Sequence, residues 1–375
     1  MTTKSHFPLS PSPKKTMEYS FITVIAILIS ALAITLQVFF FSPVSPNLLQ
    51  LPHTPPFFTQ NNDLERVIKL GEGLLQQPED VSIDQKGVLY TATRDGWIKR
   101  LYTNGTVENW KKIHDRDSLL GLVITKKGNL IVCDVEEGLI KVDKNRKVTP
   151  LATHLNGEKT KFANTVVEAS DGSLYFSVAS TKYRIHEVHL DYLEGKPHGQ
   201  LLKYDPYTKK TSLVLDGLGL ANGVAISSDQ DFLVVCETWK FRCLKYWLKG
   251  EKRGNVEIFI DNLPSAPDNI KLASDGSFWV AILQVTSSTL NFVRSSKSIK
   301  HILAMSRELF FQYIGVERGA TVMNIGSDGR IIKRLDDPNG KVVSFVTSVL
   351  EFKRNLYLGS LKNDFIGKFP LGCVV

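Results

Sequence analysis

"FANTVVEASDGSLYFSVAS", Phe162 to Ser180, sets an Asn behind a small residue, ahead of an apolar run, an Asp-Gly turn and a second strand-like run. The pattern returns as "LANGVAISSDQDFLVVCET", Leu220 to Thr238, and again as "APDNIKLASDGSFWVAI", Ala266 to Ile282. Apolar runs of this length, bounded by Gly, Asp and Ser, read as antiparallel strand pairs joined by tight turns. Each copy puts an oxygen-bearing side chain, Asn164, Asn222 or Asp268, at the start of its strand pair.

Working outward, the same unit recurs along the chain from about residue 64. It comprises an apolar run, a polar turn, an aromatic-rich run, a second turn and a run ending in Lys or Arg. Earlier copies are "VSIDQKGVLYTATRDGWIKRLY" and "LVITKKGNLIVCDVEEGLIKVD"; "SVLEFKRNLYLGSLKNDFIGKF" closes the series. Six units at a regular period predict one small sheet per repeat, with the sheets burying their faces around a ring. A β-sandwich explains the strands but not the period, so the fold class is all-β, a six-bladed β-propeller. The last copy lacks a final strand, and "LERVIKL", Leu64 to Leu70, is expected to supply it and close the ring.

Two insertions break the rhythm. "STKYRIHEVHLDYLEGKPHG", Ser180 to Gly199, lies within the third unit. "SSKSIKHILAMSRELFFQY", Ser295 to Tyr313, spaces Ile299, Ile302, Leu303, Leu309, Phe310 and Tyr313 as one amphipathic helix. Helices over one mouth of a propeller make a lid for an apolar ligand, a membrane-facing cap or a structural cap. His186 and His189 lie three residues apart, but no further ligand nearby completes a metal site.

The formal charge of +8 comes from Lys and Arg scattered through turns, with no basic helix or aromatic-basic alternation that would read as a nucleic-acid face. The amino terminus carries more information. Phe21 to Phe41 contains no charge and is long enough to cross a bilayer, while Lys4, Lys14 and Lys15 precede it. We read residues 1–20 as a cytoplasmic tail or signal n-region, 21–41 as an uncleaved signal anchor, 42–62 as a Pro-rich linker and 63–375 as a lumenal propeller. A cleaved signal peptide is the competing reading. A lumenal address makes Asn104, in the sequon Asn-Gly-Thr, a glycosylation candidate. It also permits a disulfide between Cys236 and Cys243, which flank a short turn; two separately buried thiols are the alternative.

In a propeller the innermost strands line the axis, so equivalent strand starts converge although they are far apart in sequence. Asn164, Asn222 and Asp268 should therefore face one another, with Glu79 of "QPED" at the same place in the first repeat. Two carboxylates and two amide oxygens form a hard-oxygen set suited to Ca²⁺. Asn and Asp are also frequent in turns, where they bond local backbone. Four registered oxygen-bearing positions favour the shared site.

The stretches "QPED", "FANT", "LANGVAIS" and "APDNIKLASDGSFWVAI", together with "LLKYDP" and "CETWKFRCLKYWLKG", resemble plant strictosidine synthase-like proteins. The resemblance covers roughly residues 60–375. It extends to the adipocyte plasma membrane-associated protein and to the calcium-dependent lactonases and arylesterases of the gluconolactonase type. It implies an axial ion held by a Glu, two Asn and an Asp, which by motif are Glu79, Asn164, Asn222 and Asp268. Two positions depart from the pattern. Thr165 stands where many relatives have Asp, and Thr347 stands where true strictosidine synthases place a catalytic Glu, with Glu351 four residues on.

The resulting expectation is a Ca²⁺-assisted hydrolase of esters, lactones or other apolar metabolites, with Asp268 as both ligand and general base. It would be anchored in the endomembrane or vacuolar system by its N-terminal segment and bind no nucleic acid. A non-catalytic membrane-anchored scaffold is the alternative. Pictet-Spengler synthesis of strictosidine is disfavoured, because Thr347 is a poor acid or base.

Overall fold

A computed structural model describes residues 13–48, 59–285, 292–314 and 318–372. The extreme N-terminus, including Lys4, and the linker portion 49–58 lie outside the described residues, as does Cys373. Six four-stranded antiparallel sheets form the body. Their innermost strands are Val81–Ile83, Leu119–Ile124, Ala163–Glu168, Ala221–Ile226, Ala266–Leu272 and Val346–Phe352. The six-bladed propeller read from the repeat is the observed fold.

The ring closes through the sixth blade. Ile68–Leu70 pairs antiparallel with Ile366–Pro370, Ile68 opposite Lys368 and Leu70 opposite Ile366. An N-terminal strand thus completes a C-terminal sheet, which removes the open edge that a missing strand would leave. Between blades the packing is apolar. Phe278, fully buried, meets Phe259 edge-on and Phe232 at a tilt, with ring centroids 5.5 and 6.2 Å away. Burying one such side chain contributes about 1.5–3 kcal/mol.

The Asp-Gly turns between first and second strands follow one design. Asp171 accepts the Ser173 N–H at 2.9 Å and Gly172 takes φ +83°; Asp275 and Gly276 repeat this with φ +87°. A side chain would strain that left-handed position, so glycine holds the turn.

The two insertions meet over one mouth of the ring. The first folds into the helix Val188–Glu194, ended by Gly195 in a left-handed conformation. The second differs from the single helix expected from its spacing. It forms two helices, Lys297–Ala304 and Arg307–Ile314, because Ser306 starts the second one: its hydroxyl accepts the Leu309 N–H at 3.3 Å. The side chain of Tyr313 lies outside the described residues.

Cys236 and Cys243 lie directly opposite on neighbouring strands and are joined as a disulfide, while Cys133 is a buried free thiol. Asn104 sits in an exposed turn, where its side chain accepts the Thr106 N–H. The apolar stretch Phe21–Phe41 is helical, within Pro13–Phe41, and none of it is buried by the propeller. It is compatible with a signal sequence or an anchor.

Candidate functional site

The inner strands of the third, fourth and fifth blades share an irregularity at their first residues. Their pairing slips between Ala163 and Val166, between Ala221 and Val224, and between Pro267 and Ile270. Such bulges re-aim side chains. Here they let two successive residues take part at the axis: Asn164 with Thr165, and Asp268 with Asn269. In the fourth blade the second residue is Gly223. A Cβ there would stand 2.4 Å from the Ile270 nitrogen and 2.5 Å from the Asp268 carbonyl oxygen, so only glycine lets the two blades close up.

Glu79, Asn164, Asn222 and Asp268, the four residues expected to converge, are all buried and line one cavity of about 210 Å³. They come together from four blades. The remaining wall is almost entirely apolar, with Leu120, Phe162, Leu220 and Trp239 below and Phe310 and Phe311 of the lid above. His189 also lines it, packed against Phe310 and Phe311; burial lowers its imidazole pKa, which favours the neutral ring. Among the described residues no three His, Cys, Asp or Glu side chains group in a way that could hold a metal. The axial set falls outside that pattern because half of its oxygens are amides.

Hydrogen bonds connect this set. Asn269 donates its amide to Glu79 Oε1 at 2.7 Å, and the Thr165 hydroxyl meets both Asn164 Oδ1, at 2.9 Å, and Asn269 Oδ1. Asn222 hydrogen-bonds the Asp268 carboxyl. Two buried acceptors remain without a partner, Glu79 Oε2 and Asn222 Oδ1. Leaving a buried acceptor unmatched costs roughly 1–3 kcal/mol.

Charge is also unbalanced. Burial, with repulsion from Asp80 and Asp268, holds the Glu79 carboxyl well above its ordinary range despite the bond from Asn269. Burial likewise pushes Asp268 up to about 7, against the bond from Asn222. Orphaned hard oxygens and two carboxyls reluctant to ionise together fit a divalent cation, which would satisfy both. Glu79, Asn164, Asn222 and Asp268 are the residues that would hold it.

Asn269 was not among the residues expected at the axis. Its signal was the pair "DN", standing in register with "NT" of the third blade. Thr347, at the start of the sixth inner strand, is fully buried and donates its hydroxyl to the Glu79 carbonyl at 2.7 Å, so it fixes the main chain of Glu79. Glu351 points elsewhere, accepting the Trp279 indole N–H at 2.9 Å and the Ser274 hydroxyl.

Comparison with known proteins agrees with this architecture. The strictosidine synthase family model matches residues 164–251, and the strictosidine synthase-like N-terminal model matches residues 57–101. The chain is 32% identical over 341 residues to Protein STRICTOSIDINE SYNTHASE-LIKE 4 of Arabidopsis thaliana, covering 88% of this chain and 90% of that one. It is 31% identical over 355 residues to the adipocyte plasma membrane-associated protein of Rattus norvegicus, covering 88% and 93%. Among solved structures, a gluconolactonase of Xanthomonas campestris superposes with a TM-score of 0.60 at 14% identity, covering 88% of this chain and 99% of that one. A calcium-binding regucalcin of Agrobacterium tumefaciens superposes with a TM-score of 0.51 at 13% identity, covering 79% and 90%. At such identities the superpositions speak for the fold.

Proposed function

This chain belongs to the strictosidine synthase-like family, and from that premise we propose that its axial cavity is the active site of a calcium-assisted hydrolase of apolar esters or lactones. The observation that carries the reading is the pair of orphaned acceptors, Glu79 Oε2 and Asn222 Oδ1, on residues lining the same cavity as Asp268. A bound cation would supply Lewis-acid polarisation of the substrate carbonyl.

The protein's own residues do the remainder. Glu79, Asn164 and Asn222 present oxygens from three blades, and Asp268 takes a proton at its carboxylate from the attacking water. Phe162, Leu220 and Trp239 hold the acyl or aryl part and exclude bulk water. Thr347 is committed to the Glu79 carbonyl and offers no carboxyl for a Pictet-Spengler condensation. The apolar N-terminal helix and the name of the rat relative, a plasma membrane-associated protein, support attachment to a membrane; a propeller in the lumen of the endomembrane system or vacuole is part of the proposal. The gluconolactonase and the regucalcin share this fold; the reaction class and the ion proposed here rest on the axial residues themselves.

The test is hydrolysis of phenyl acetate and a series of lactones, with calcium and with chelator. Turnover that vanishes on chelation and returns with calcium is the expected result. A folded protein inert across the panel would favour a second reading, a binding scaffold. That reading draws on the Thr165–Asn269–Glu79 chain, which ties up part of the axial set internally.

The ion also has a signature in stability. Asp268 ionises near pH 7 in the folded, ion-free protein and near 3.8 as an unperturbed side chain. A raised carboxyl makes the ion-free fold lose stability as pH rises from about 4 through about 7, because the unfolded chain releases its proton first. Cation binding requires the deprotonated form. The difference in melting temperature between calcium and chelator should therefore be small near pH 4 and widen up to pH 7. A difference that is absent, or the same at every pH, would count against an ion at Asp268.

A further inference from the structure

The segment after the apolar helix is bound to the lid. Val44 is buried in the core cluster that includes Tyr192, Leu303 and Phe310. The Asn47 N–H donates to the Glu194 carbonyl at 2.7 Å, and the buried Lys300 ammonium donates to the Asn47 carbonyl at 2.5 Å. Glu194 holds the strap from the other side. Its buried carboxylate accepts the Ser45 N–H, Lys182 at 2.7 Å, His198 at 2.7 Å and the Tyr183 hydroxyl at 3.1 Å. The helix itself touches the lid, with the Phe39 ring 4.7 Å from that of His301.

This contact fixes depth. Twenty-one residues of helix span about 31 Å, the thickness of a hydrocarbon core. Phe39 lies two residues from the end of that span, so in an anchored protein it sits at the membrane surface. The lid helix that carries His301 must sit there too. The outer side of the lid suits this placement: Ile302 is 51% exposed, Met305 49% and Phe311 42%, flanked by the exposed cations Lys297 and Arg307. One acid, Glu308, is also exposed on this face; apolar side chains interleaved with Lys and Arg are otherwise the composition of a helix lying in a lipid interface. Phe311 is at once an exposed lid residue and a wall of the cavity, so the mouth opens on this face.

We propose that the lid face Ile302–Phe311 rests on the bilayer that holds the N-terminal helix, and that the cavity loads substrate from that bilayer. The substrate class is then an amphiphilic acyl ester or long-chain lactone dissolved in lipid. This rests on the hydrolase reading for the word substrate, but the surface can be tested without turnover.

The full chain, in a Cys373→Ser background, is labelled with an environment-sensitive fluorophore at Met305→Cys or at Lys127→Cys. Lys127 is exposed in the turn between Leu119–Ile124 and Leu130–Asp134, on the face away from the lid. Both are reconstituted in phosphatidylcholine nanodiscs doped with a lipid nitroxide. Fluorescence should be quenched at position 305 and retained at position 127. Equal behaviour at the two positions would overturn the proposal.

The loading route is read separately. Ile302→Asp combined with Met305→Asp should slow turnover of a membrane-dissolved long-chain ester while leaving soluble phenyl acetate unaffected. Unchanged turnover of both would overturn the loading route and leave the surface. A chain with no turnover would sink the hydrolase reading, while the quenching still decides the surface.

Discussion

Asp268→Ala is expected to lower calcium-dependent ester turnover at least 100-fold, the scale of losing one directed electrostatic or proton-transfer group from a closed site. The same substitution should not weaken the ion-free fold at neutral pH, and there the prediction separates chemistry from structure. Asp268 is buried beside Glu79 and Asp80, and burial pushes its carboxyl up to about 7. Removing it relieves a charge that the ion-free protein holds unwillingly. Asp268→Asn tests the point with the shape retained. Activity should fall as far, and the dependence of the melting temperature on calcium should shrink in parallel, while the melting temperature in chelator at pH 7 holds or rises. A large fall in that temperature would instead assign Asp268 a structural role and remove it from the reaction.

The repeats that define the fold were legible because each unit states its own strands and turns. Asp171-Gly172 and Asp275-Gly276 mark hairpins locally, and their register with Asn164 and Asp268 places the axial oxygens without any long-range information. Ring closure by the segment before the first blade was legible for the same reason: a unit lacked a strand and another segment was left over. What escaped were features that depend on two blades at once. The hydrogen bond from Asn269 to Glu79 joins residues 190 positions apart, and nothing near either one announces it. The break in the second insertion was hidden because Leu303, Leu309 and Phe310 keep helical spacing across Ser306, so periodicity ran through a capping residue. The strap was hidden by composition. "SPVSPN" reads as linker, yet Val44 is buried and Ser45 and Asn47 bind Glu194.

Asp80 leads to the other large effect. It is 1% exposed, directly after Glu79, and joins three blades. Its carboxylate accepts the Val81 N–H at 2.8 Å and the Leu122 N–H of the second blade at 3.0 Å, and pairs at 2.7 Å with Lys271 of the fifth. Lys271 also donates to the Val81 carbonyl at 2.6 Å. Removing one partner of a buried pair leaves an uncompensated charge, which costs about 3–5 kcal/mol. The two backbone bonds that remain on Asp80, and the partial exposure of Lys271, place Lys271→Ala near the lower end of that range.

The effect should reach the axial site as well. Lys271 is the cation that counters the upward shift of Glu79, so without it the Glu79 proton is held to still higher pH. The pH at which calcium begins to bind should rise, since the ion must displace that proton, and with it the pH at which turnover begins. Lys271→Met, which keeps the apolar stem, should behave like alanine; adding Asp80→Asn should restore most of the stability, since the unpaired charge is then gone. Urea unfolding gives the first quantity and a calcium titration the second. If both single variants unfold at the wild-type midpoint, the pair is not structural; if they are unstable but bind calcium normally, Lys271 holds the blades without tuning the site.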